Sequence, residues 1–183
     1  MDIYDAIEKR RTIRKYKGPA TQEQLSRILT AATKSPSSGN KQNWEFIVVD
    51  DPVIIEKVSE VKYLLNRGKP PAEQVPEAQE KAARRQKDSF DNATLVVVYH
   101  NQKLADAAGV WCSIQNMLLA AVAEGLGTRI ARFSGRSVDE INTLMQAPEG
   151  MELVAAISIG IPAQEPRPRE LRPEGSWLHR NRF

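Results

Sequence analysis

The stretch SPSSGNKQNWEF, residues 35–46, joins a long polar loop to the start of an apolar run. A chain reversal needs only about four residues, whereas polar and turn-forming residues continue here without interruption up to Trp44. The run Phe46-Ile47-Val48-Val49 is typical of a strand covered on both faces, which we predict at residues 45–50. The loop is therefore either a solvated surface connection or a segment whose side chains and amides bind something else.

Capping signals on both sides of this loop predict four helices. A residue with a short polar side chain precedes each apolar periodic segment, as expected where the first backbone N–H groups of a helix need acceptors. The first helix is predicted to end near residue 10 or 11, and residues 12–16 are predicted to be extended. The capping positions are Asp2, Thr21 with Gln24, Asp51 before Pro52, and Ser137 with Glu140.

A long apolar helix is predicted between two further buried strands. The strands cover residues 94–100 and 153–159, and the helix covers residues 104–124, with Gly125 as its stop signal. Apolar residues recur along the helix at intervals of three and four, which indicates that it passes through the core or a subunit interface. They are Val110, Ile114, Met117, Leu118 and Ala121.

Composition indicates one globular domain over residues 1–183, since 41% of the residues are hydrophobic and 27% are charged. No apolar run approaches the roughly 20 residues of a membrane span, and the N-terminal residues are acidic rather than apolar, so we expect a cytoplasmic protein with no membrane association. The single cysteine, Cys112, excludes an intrachain disulfide, and we expect no metal site.

Two segments depart from the alternation of helices and strands. Residues 62–92 contain Gly68 and three prolines before a polar helix with little to bury, which predicts a lid or excursion. Residues 162–183 are rich in proline and form an extended arm, expected to lie on its own domain or on a second copy of the chain.

Arginines are concentrated near the two ends of the chain, although the net charge is only +3. If these ends meet in space, they form a cationic pocket suited to phosphate, because a guanidinium group can donate to two oxygens at once. The loop adds Asn40 and Gln42, whose amides suit the edge of a heterocycle with alternating carbonyl and N–H groups. The arginines are Arg10, Arg11 and Arg14 at the start, and Arg167, Arg169, Arg172, Arg180 and Arg182 in the tail.

Other motifs are excluded or weak. Gly125-Leu126-Gly127 follows a predicted helix rather than a strand and lacks a third glycine, so it is not a dinucleotide fingerprint. No phosphate-binding P-loop, zinc-binding histidine pair or serine nucleophile motif is present. The basic residues have no helix-turn-helix or aromatic RNA-binding pattern beside them, and we expect no nucleic-acid partner.

Four ordered motifs resemble the FMN-dependent nitroreductase family over nearly the whole chain. They are RRTIRKY at 10–16, SPSSGNKQNWEF at 35–46, AAVAEGLGT at 120–128, and SIGIPAQEPRP at 158–168 followed by LRP at 171–173. The resemblance implies an α+β fold of three layers, with a central mixed, mostly antiparallel sheet flanked by helices. It also implies a homodimer with FMN at the interface and the C-terminal arm exchanged between the two copies.

The resemblance further implies a set of FMN-binding residues. Arg10, Arg11, Thr12 and Arg14 would hold the phosphate, the ribityl chain and the pyrimidine edge. Residues of the second copy would contact the isoalloxazine: Pro36, Ser37, Ser38, Asn40 and Gln42. The tail arginines align in more than one way, and Arg169 and Arg172 are the two expected at the phosphate.

Two departures from the family pattern bear on the same site. Asn43 stands where the family usually has proline. After GLGT the family commonly has tryptophan or glycine near flavin N5, whereas this chain has Arg129 and then Ile130, Ala131 and Arg132, whose backbone is expected near N5. The additional arginine would favour an anionic flavin or an acidic substrate.

By this resemblance, the chain is expected to be an FMN-dependent oxidoreductase. NADH or NADPH would reduce FMN by hydride transfer to N5, and a small electron acceptor such as a nitroaromatic or quinone would then take the electrons in a ping-pong cycle. No side chain is expected to act as a catalytic acid, base or nucleophile. The alternatives are a reductive dehalogenase or flavin-modifying enzyme on the same fold, and a non-catalytic FMN-binding protein.

Overall fold

The structure, a computed structural model, describes residues 1–104, 106–166 and 168–183. Ala105 and the tail arginine Arg167 lie outside the described residues. The six helices among the described residues are α1 (Ile3–Lys9), α2 (Gln22–Ala32), α3 (Pro52–Arg67), α4 (Glu77–Lys87), α5 (Ala108–Ala123) and α6 (Arg136–Met145). The five strands are β1 (Tyr16–Pro19), β2 (Trp44–Val49), β3 (Thr94–Asn101), β4 (Gly127–Ala131) and β5 (Met151–Pro162).

The strands form one sheet in which all pairs of named strands in the described part of the chain are antiparallel. The order β1-β5-β3-β2 runs across the sheet, and β4 also pairs with β5. A parallel bridge joins Thr12, before β1, to Thr128 in β4. The long strand β5 therefore fixes the positions of three neighbours, and the polar loop at 35–43 leads into the outer strand β2.

Helices cover both faces of the sheet, which gives three layers. On one face, Ile28 of α2 and Met117 of α5 pack with Val96 of β3. On the other face, Val58 of α3 and Ile141 of α6 pack with Val97. The α+β fold expected from the sequence is confirmed.

Three of the four predicted helix starts are confirmed. Asp2 and Asp51 accept backbone N–H groups at the starts of α1 and α3. Thr21 forms the complete capping box with Gln24, with distances of 3.0 and 3.2 Å for its two hydrogen bonds. The apolar stripe of α5 is buried as predicted, and Gly125 follows the helix with φ of +76°. The helix starts at Ala108 rather than near residue 104.

The predicted cap of α6 is wrong. Ser137 lies inside the helix, and Gly135 occupies the cap position with φ of +55°. The Ser137 hydroxyl accepts the backbone N–H of Ser134 and donates to its carbonyl, while Glu140 pairs with Arg136. The helix therefore starts two residues earlier than the serine pattern indicated, because Gly135 rather than Ser137 is its cap.

Predictions for the outer strands also need correction. The strand β2 is only partly covered, because it pairs with β3 alone, and Glu45 is exposed. Of the segment predicted to be extended, residues 12–16, only Tyr16 belongs to a strand, since β1 begins there. The sequence analysis did not predict β4. Among the described residues, no helix is both long and apolar enough to span a membrane.

We expect Gly160→Ala to destabilise the protein by about 1–3 kcal/mol, the usual cost of overpacking. A Cβ at Gly160 would lie 2.7 Å from the carbonyl oxygen of Gly18 and 3.0 Å from the Tyr16 ring, where β1 crosses β5. Urea denaturation measures the change. The control is Gly175→Ala, where a Cβ meets nothing within 4 Å. Equal stability of the two variants would contradict the close packing of β1 on β5.

Candidate functional site

The arginine-rich segment after α1, residues 10–14, is hydrogen-bonded to β4. The backbone N–H of Ile13 donates to the carbonyl of Thr128 at 2.9 Å, beside the bridge between Thr12 and Thr128. The Ile13 side chain is buried directly over Gly127, where a Cβ would lie 2.6 Å from it. This contact requires glycine at 127 and sets where the neighbouring arginines lie.

The two ends of the chain meet at Arg10. The Nη2 group of Arg169 donates to the carbonyl of Arg10 at 2.8 Å. The pKa of Arg10 is lowered, first by partial burial and then by the charges of Arg169 and Arg11. Within the described ranges, neither Arg10 nor Arg169 pairs with a carboxylate. Like charges from both termini therefore converge without a counter-ion, as a phosphate site requires.

Arg11, Thr12 and Arg14 have different surroundings. Arg11 turns back on α1, where it donates to the carbonyls of Glu8 and Arg10 and pairs with the Glu8 carboxylate. Thr12 is exposed. Arg14 is also exposed, and its backbone N–H donates to Oε1 of Gln164 at 3.1 Å. The Arg11 guanidinium is thus partly occupied by contacts at the end of α1. The Arg14 guanidinium has no partner among the residues described. The same holds for the exposed tail residue Arg172.

A cavity of about 700 Å³ opens beside this segment, and we call it the arginine cavity. Four of its lining side chains are basic and one is acidic, so its interior is cationic. Helix α4 supplies one wall, which the sequence analysis did not anticipate. The lining residues are Arg11, Thr12, Arg14, Lys15, Ala82, Arg85, Gln86, Asp88 and Gln164.

The polar loop is a tight turn rather than a slack connection. Residues Ser38–Asn40 form one 3₁₀ turn, and φ is positive at Gly39 (58°), Asn40 (54°) and Gln42 (47°). The Ser37 hydroxyl fixes the turn by accepting the backbone N–H of Gln42 at 2.9 Å. Non-glycine residues with positive φ are uncommon and cluster at binding sites, where surrounding contacts hold them in place.

Helix α5 supports this turn. A Cβ at Gly109 would lie 3.0 Å from Cβ of Ser37 and 3.1 Å from the carbonyl oxygen of Pro36, so the loop rests directly on the helix backbone. Asn43 is buried and donates to the Asp106 carbonyl at 2.6 Å. This anchoring explains why asparagine serves here, since its amide ties the end of the loop to the segment before α5.

The side chains at the tip of the loop point to solvent. Ser38, Asn40 and Gln42 are exposed, and Nε2 of Gln42 donates to Oδ1 of Asn40 at 3.2 Å. None of the loop residues lines the arginine cavity. Within a single chain, the structure does not bring the two predicted halves of the site together.

The end of β4 presents one apolar and one basic side chain. Ile130 is 37% exposed, Ala131 is buried, and the Arg132 guanidinium lies 5.7 Å from the ring centroid of Trp111. The carbonyl of Arg132 accepts a hydrogen bond of 2.6 Å from Nζ of Lys62 on α3. Lys62 was missed in the sequence because α3 carries two lysines, Lys57 and Lys62, and only the fold shows which one is buried.

Arg129 on β4 is buried, with 3% of its surface exposed. Its Nη2 donates to Oε1 of Gln86, its guanidinium stacks 5.0 Å from the Phe90 centroid, and its Nη1 has no partner in the described part of the chain. The pKa of Arg129 is lowered to about 10, mainly by burial, with a smaller opposing effect of Tyr16 and a smaller lowering by the charge of Arg14. The side chain stays charged at neutral pH.

Comparison with known protein families identifies the family of this chain. The model of the Nitroreductase family matches residues 7–161. The chain belongs to the nitroreductase family. The resemblance carried by the four sequence motifs is therefore confirmed.

Relatives within the family differ in their named reactions. A provisionally named NADH dehydrogenase/NAD(P)H nitroreductase from Methanothermobacter thermautotrophicus is 33% identical over 180 residues, covering 93% of this chain and 83% of the relative. An iodotyrosine deiodinase from Thermotoga neapolitana is 26% identical over 183 residues, covering 94% of each chain. The crystal structure of a provisionally named nitroreductase in complex with FMN, from Desulfovibrio desulfuricans, has a TM-score of 0.75 at 25% identity, covering 100% of this chain and 98% of that one.

Burial, and to a smaller extent the charge of Arg129, lowers the pKa of Lys62 to about 8. The unfolded chain therefore binds the proton more tightly between about pH 8 and 10.5, and we expect wild type to gain stability relative to Lys62→Met as the pH rises through this window. Urea denaturation at pH 7, 8.5 and 10 measures the difference. Lys57→Met, which removes an exposed lysine of α3, is the control. A stability difference between wild type and Lys62→Met that stays constant with pH would contradict the burial of this ammonium group.

Proposed function

We propose that this protein is an FMN-dependent oxidoreductase of the cytoplasm that uses NADH or NADPH to reduce nitroaromatic, quinone or similar small acceptors. The observation that carries the proposal is the contact of Arg169 with Arg10, the residue before the cavity-lining Arg11, with no carboxylate counter-charge among the described residues. Like-charged guanidinium groups held near one another repel, and a bound anion would offset that repulsion.

The residues present fit the chemical parts of FMN. Arg10 and Arg169 offer guanidinium donors for the phosphate, with Arg172 close in sequence as a further candidate. Thr12 and the partly committed Arg11 line the cavity between these groups and Arg14, which suits the ribityl hydroxyls. Arg14 is then the donor for the pyrimidine edge. Nη1 of Arg129, behind the cavity wall, has no hydrogen-bond partner among the described residues, and its positive charge further favours a negatively charged ligand.

A second copy of the chain completes the site in this proposal. The loop with Pro36, Ser37, Ser38, Asn40 and Gln42 would reach the flavin ring from the partner, near the backbone of Ile130, Ala131 and Arg132. Exposed apolar side chains support a partner surface: Ile3, Tyr4 and Ile7 on α1, Trp111 on α5, and Leu171, Trp177, Leu178 and Phe183 in the arm. Exposed apolar side chains in such numbers suit an interface with a second copy, and the arm at residues 162–183 would lie across the partner.

FMN, when bound, supplies the two-electron chemistry, accepting a hydride at N5 and passing the electrons to the acceptor. The chain binds and orients the cofactor, and Arg14 favours negative charge at the pyrimidine edge. The Lys62 hydrogen bond fixes the peptide after Arg132 and so helps to orient the backbone proposed to lie near N5. No side chain has to act as acid, base or nucleophile, because water can supply protons.

The visible spectrum of the purified protein and rapid mixing with NADH and NADPH test this function. We expect a flavin absorption doublet that bleaches with a nicotinamide donor and returns when a quinone is added. A yellow protein that neither donor reduces would leave a non-catalytic FMN-binding protein as the function. A colourless protein that takes up no added FMN would refute the proposal.

Reductive dehalogenation is the second candidate, and the position of α4 favours it. This helix lies in the segment 62–92 and supplies Ala82, Arg85 and Gln86 to one wall of the arginine cavity, so it is placed to act as a lid over an acceptor. Anaerobic incubation of the reduced protein with 3-iodotyrosine separates the candidates. Release of iodide, with two electrons and one proton replacing iodine by hydrogen, would favour the deiodinase reaction, whereas reduction of nitroaromatics or quinones alone favours the first proposal.

We expect Arg14→Ala to weaken FMN binding at least tenfold, because it removes the charged donor proposed for the pyrimidine edge. Titration of the apoprotein with FMN, followed by flavin fluorescence, measures the dissociation constant. Arg136→Ala removes an arginine side chain that is 91% exposed on α6 and serves as the control. An Arg14→Ala variant with the same flavin affinity as this control would remove Arg14 from the site.

A further inference from the structure

Arg129 is a buried charge that folding alone does not explain. It lies on β4 with its guanidinium over Phe90, and no carboxylate pairs with it among the residues described. Its Nη1 atom makes no hydrogen bond to any described residue, although nearly all buried polar groups in proteins make one. An apolar side chain of similar length would pack over the same ring without this cost. The unpaired charge therefore points to a role outside the fold.

Arg129 determines which end of the Gln86 amide faces the arginine cavity. A guanidinium group only donates hydrogen bonds, so it binds the Oε1 atom of Gln86 and leaves Nε2 on the opposite side. Nε2 has no acceptor among the described residues, and Gln86 lines the cavity. Gln86 is thus held as a donor, whereas a glutamine without this contact can turn either end to a ligand.

Two guanidinium charges, those of Arg14 and Arg129, and one amide N–H donor, that of Gln86, therefore act on one region of the cavity. Arg14 lies close enough to Arg129 to affect its pKa, and Gln86 connects the two elements from α4. Arg129 itself is too deeply buried to reach a ligand directly, so it acts through the orientation of Gln86 and through its field. Charges in a poorly hydrated interior act more strongly than charges on the surface.

We propose that Arg129 is a positioning residue that fixes Gln86 as a hydrogen-bond donor and, together with Arg14, makes the arginine cavity prefer the anionic form of its ligand. Resting on the proposed function, that ligand is FMN, and the form preferred is the reduced cofactor with negative charge on its pyrimidine ring.

Arg129→Met tests the proposal with two measurements that are independent of turnover. The first compares the dissociation constants of oxidised and reduced FMN, using fluorescence titration for the oxidised form and the midpoint potential of the bound cofactor for their ratio. We expect the ratio to change at least tenfold against the reduced form, which lowers the two-electron midpoint potential by about 30 mV.

The second measurement is the thermal stability of the apoprotein. We expect Arg129→Met to be at least as stable as wild type, because the substitution removes an unpaired buried charge. A purely structural role predicts the opposite pair of results, namely a less stable apoprotein and equal loss of affinity for both redox forms. That pair of results would overturn the proposal.

Gln86→Glu tests the same idea without disturbing the arginine. The new carboxylate would pair with Arg129, neutralise its charge and remove the Nε2 donor, so the same tenfold loss against reduced FMN is expected even if Arg129→Met does not fold. Arg84→Gln removes an arginine charge from the exposed side of α4 and is the control. A Gln86→Glu ratio within threefold of this control overturns the proposal. If wild type binds neither form of FMN, the proposed function fails as well, whereas unchanged ratios in a wild type that binds FMN overturn only this inference.

Discussion

The position of the central strand β5 determines where the charges of this protein meet. Pairing with β1 at one end places the segment of Arg10–Arg14, and pairing with β4 places Arg129 behind it. The small residues Gly127 and Gly160 permit these approaches, since a Cβ at either would overlap Ile13 or the backbone of β1. Backbone pairing and core packing thus supply the free energy that holds the like charges together. An anionic ligand would supply the counter-charge that the apoprotein lacks.

The sequence predicted best those elements whose signals are local. Caps at Asp2, Thr21 and Asp51 and the apolar periodicity of α5 depend on neighbouring residues, and the structure confirms them. The strand β4 was missed because the segment Gly127–Ala131 contains a buried arginine and only short apolar stretches. Its strand conformation comes from pairing with β5, which is a contact between distant parts of the chain. The cap at Gly135 depends on backbone conformation rather than on a polar side chain.

The residues of the candidate site also fall into those that the sequence indicated and those that only the fold reveals. The charge distribution raised the condition that the two arginine-rich ends meet, and in the structure Nη2 of Arg169 does donate to the carbonyl of Arg10. The roles of Gln86 and Lys62 were not visible, because their helices carry many polar residues and only packing selects the ones that face inward. A partial signal existed for Gln86, which lies three residues after the buried Ala83 and so shares a helix face with it. The burial of Arg129 required the register of β4 on β5.

The most direct test of the central claim is a crystal structure of the protein grown with FMN. The account requires one FMN per chain between two copies, with the phosphate against Arg10 and Arg169, the pyrimidine edge at Arg14 and Gln86, and the ring against Asn40 and Gln42 of the other copy. A flavin held within a single chain away from these arginines, or crystals that contain none, would contradict it.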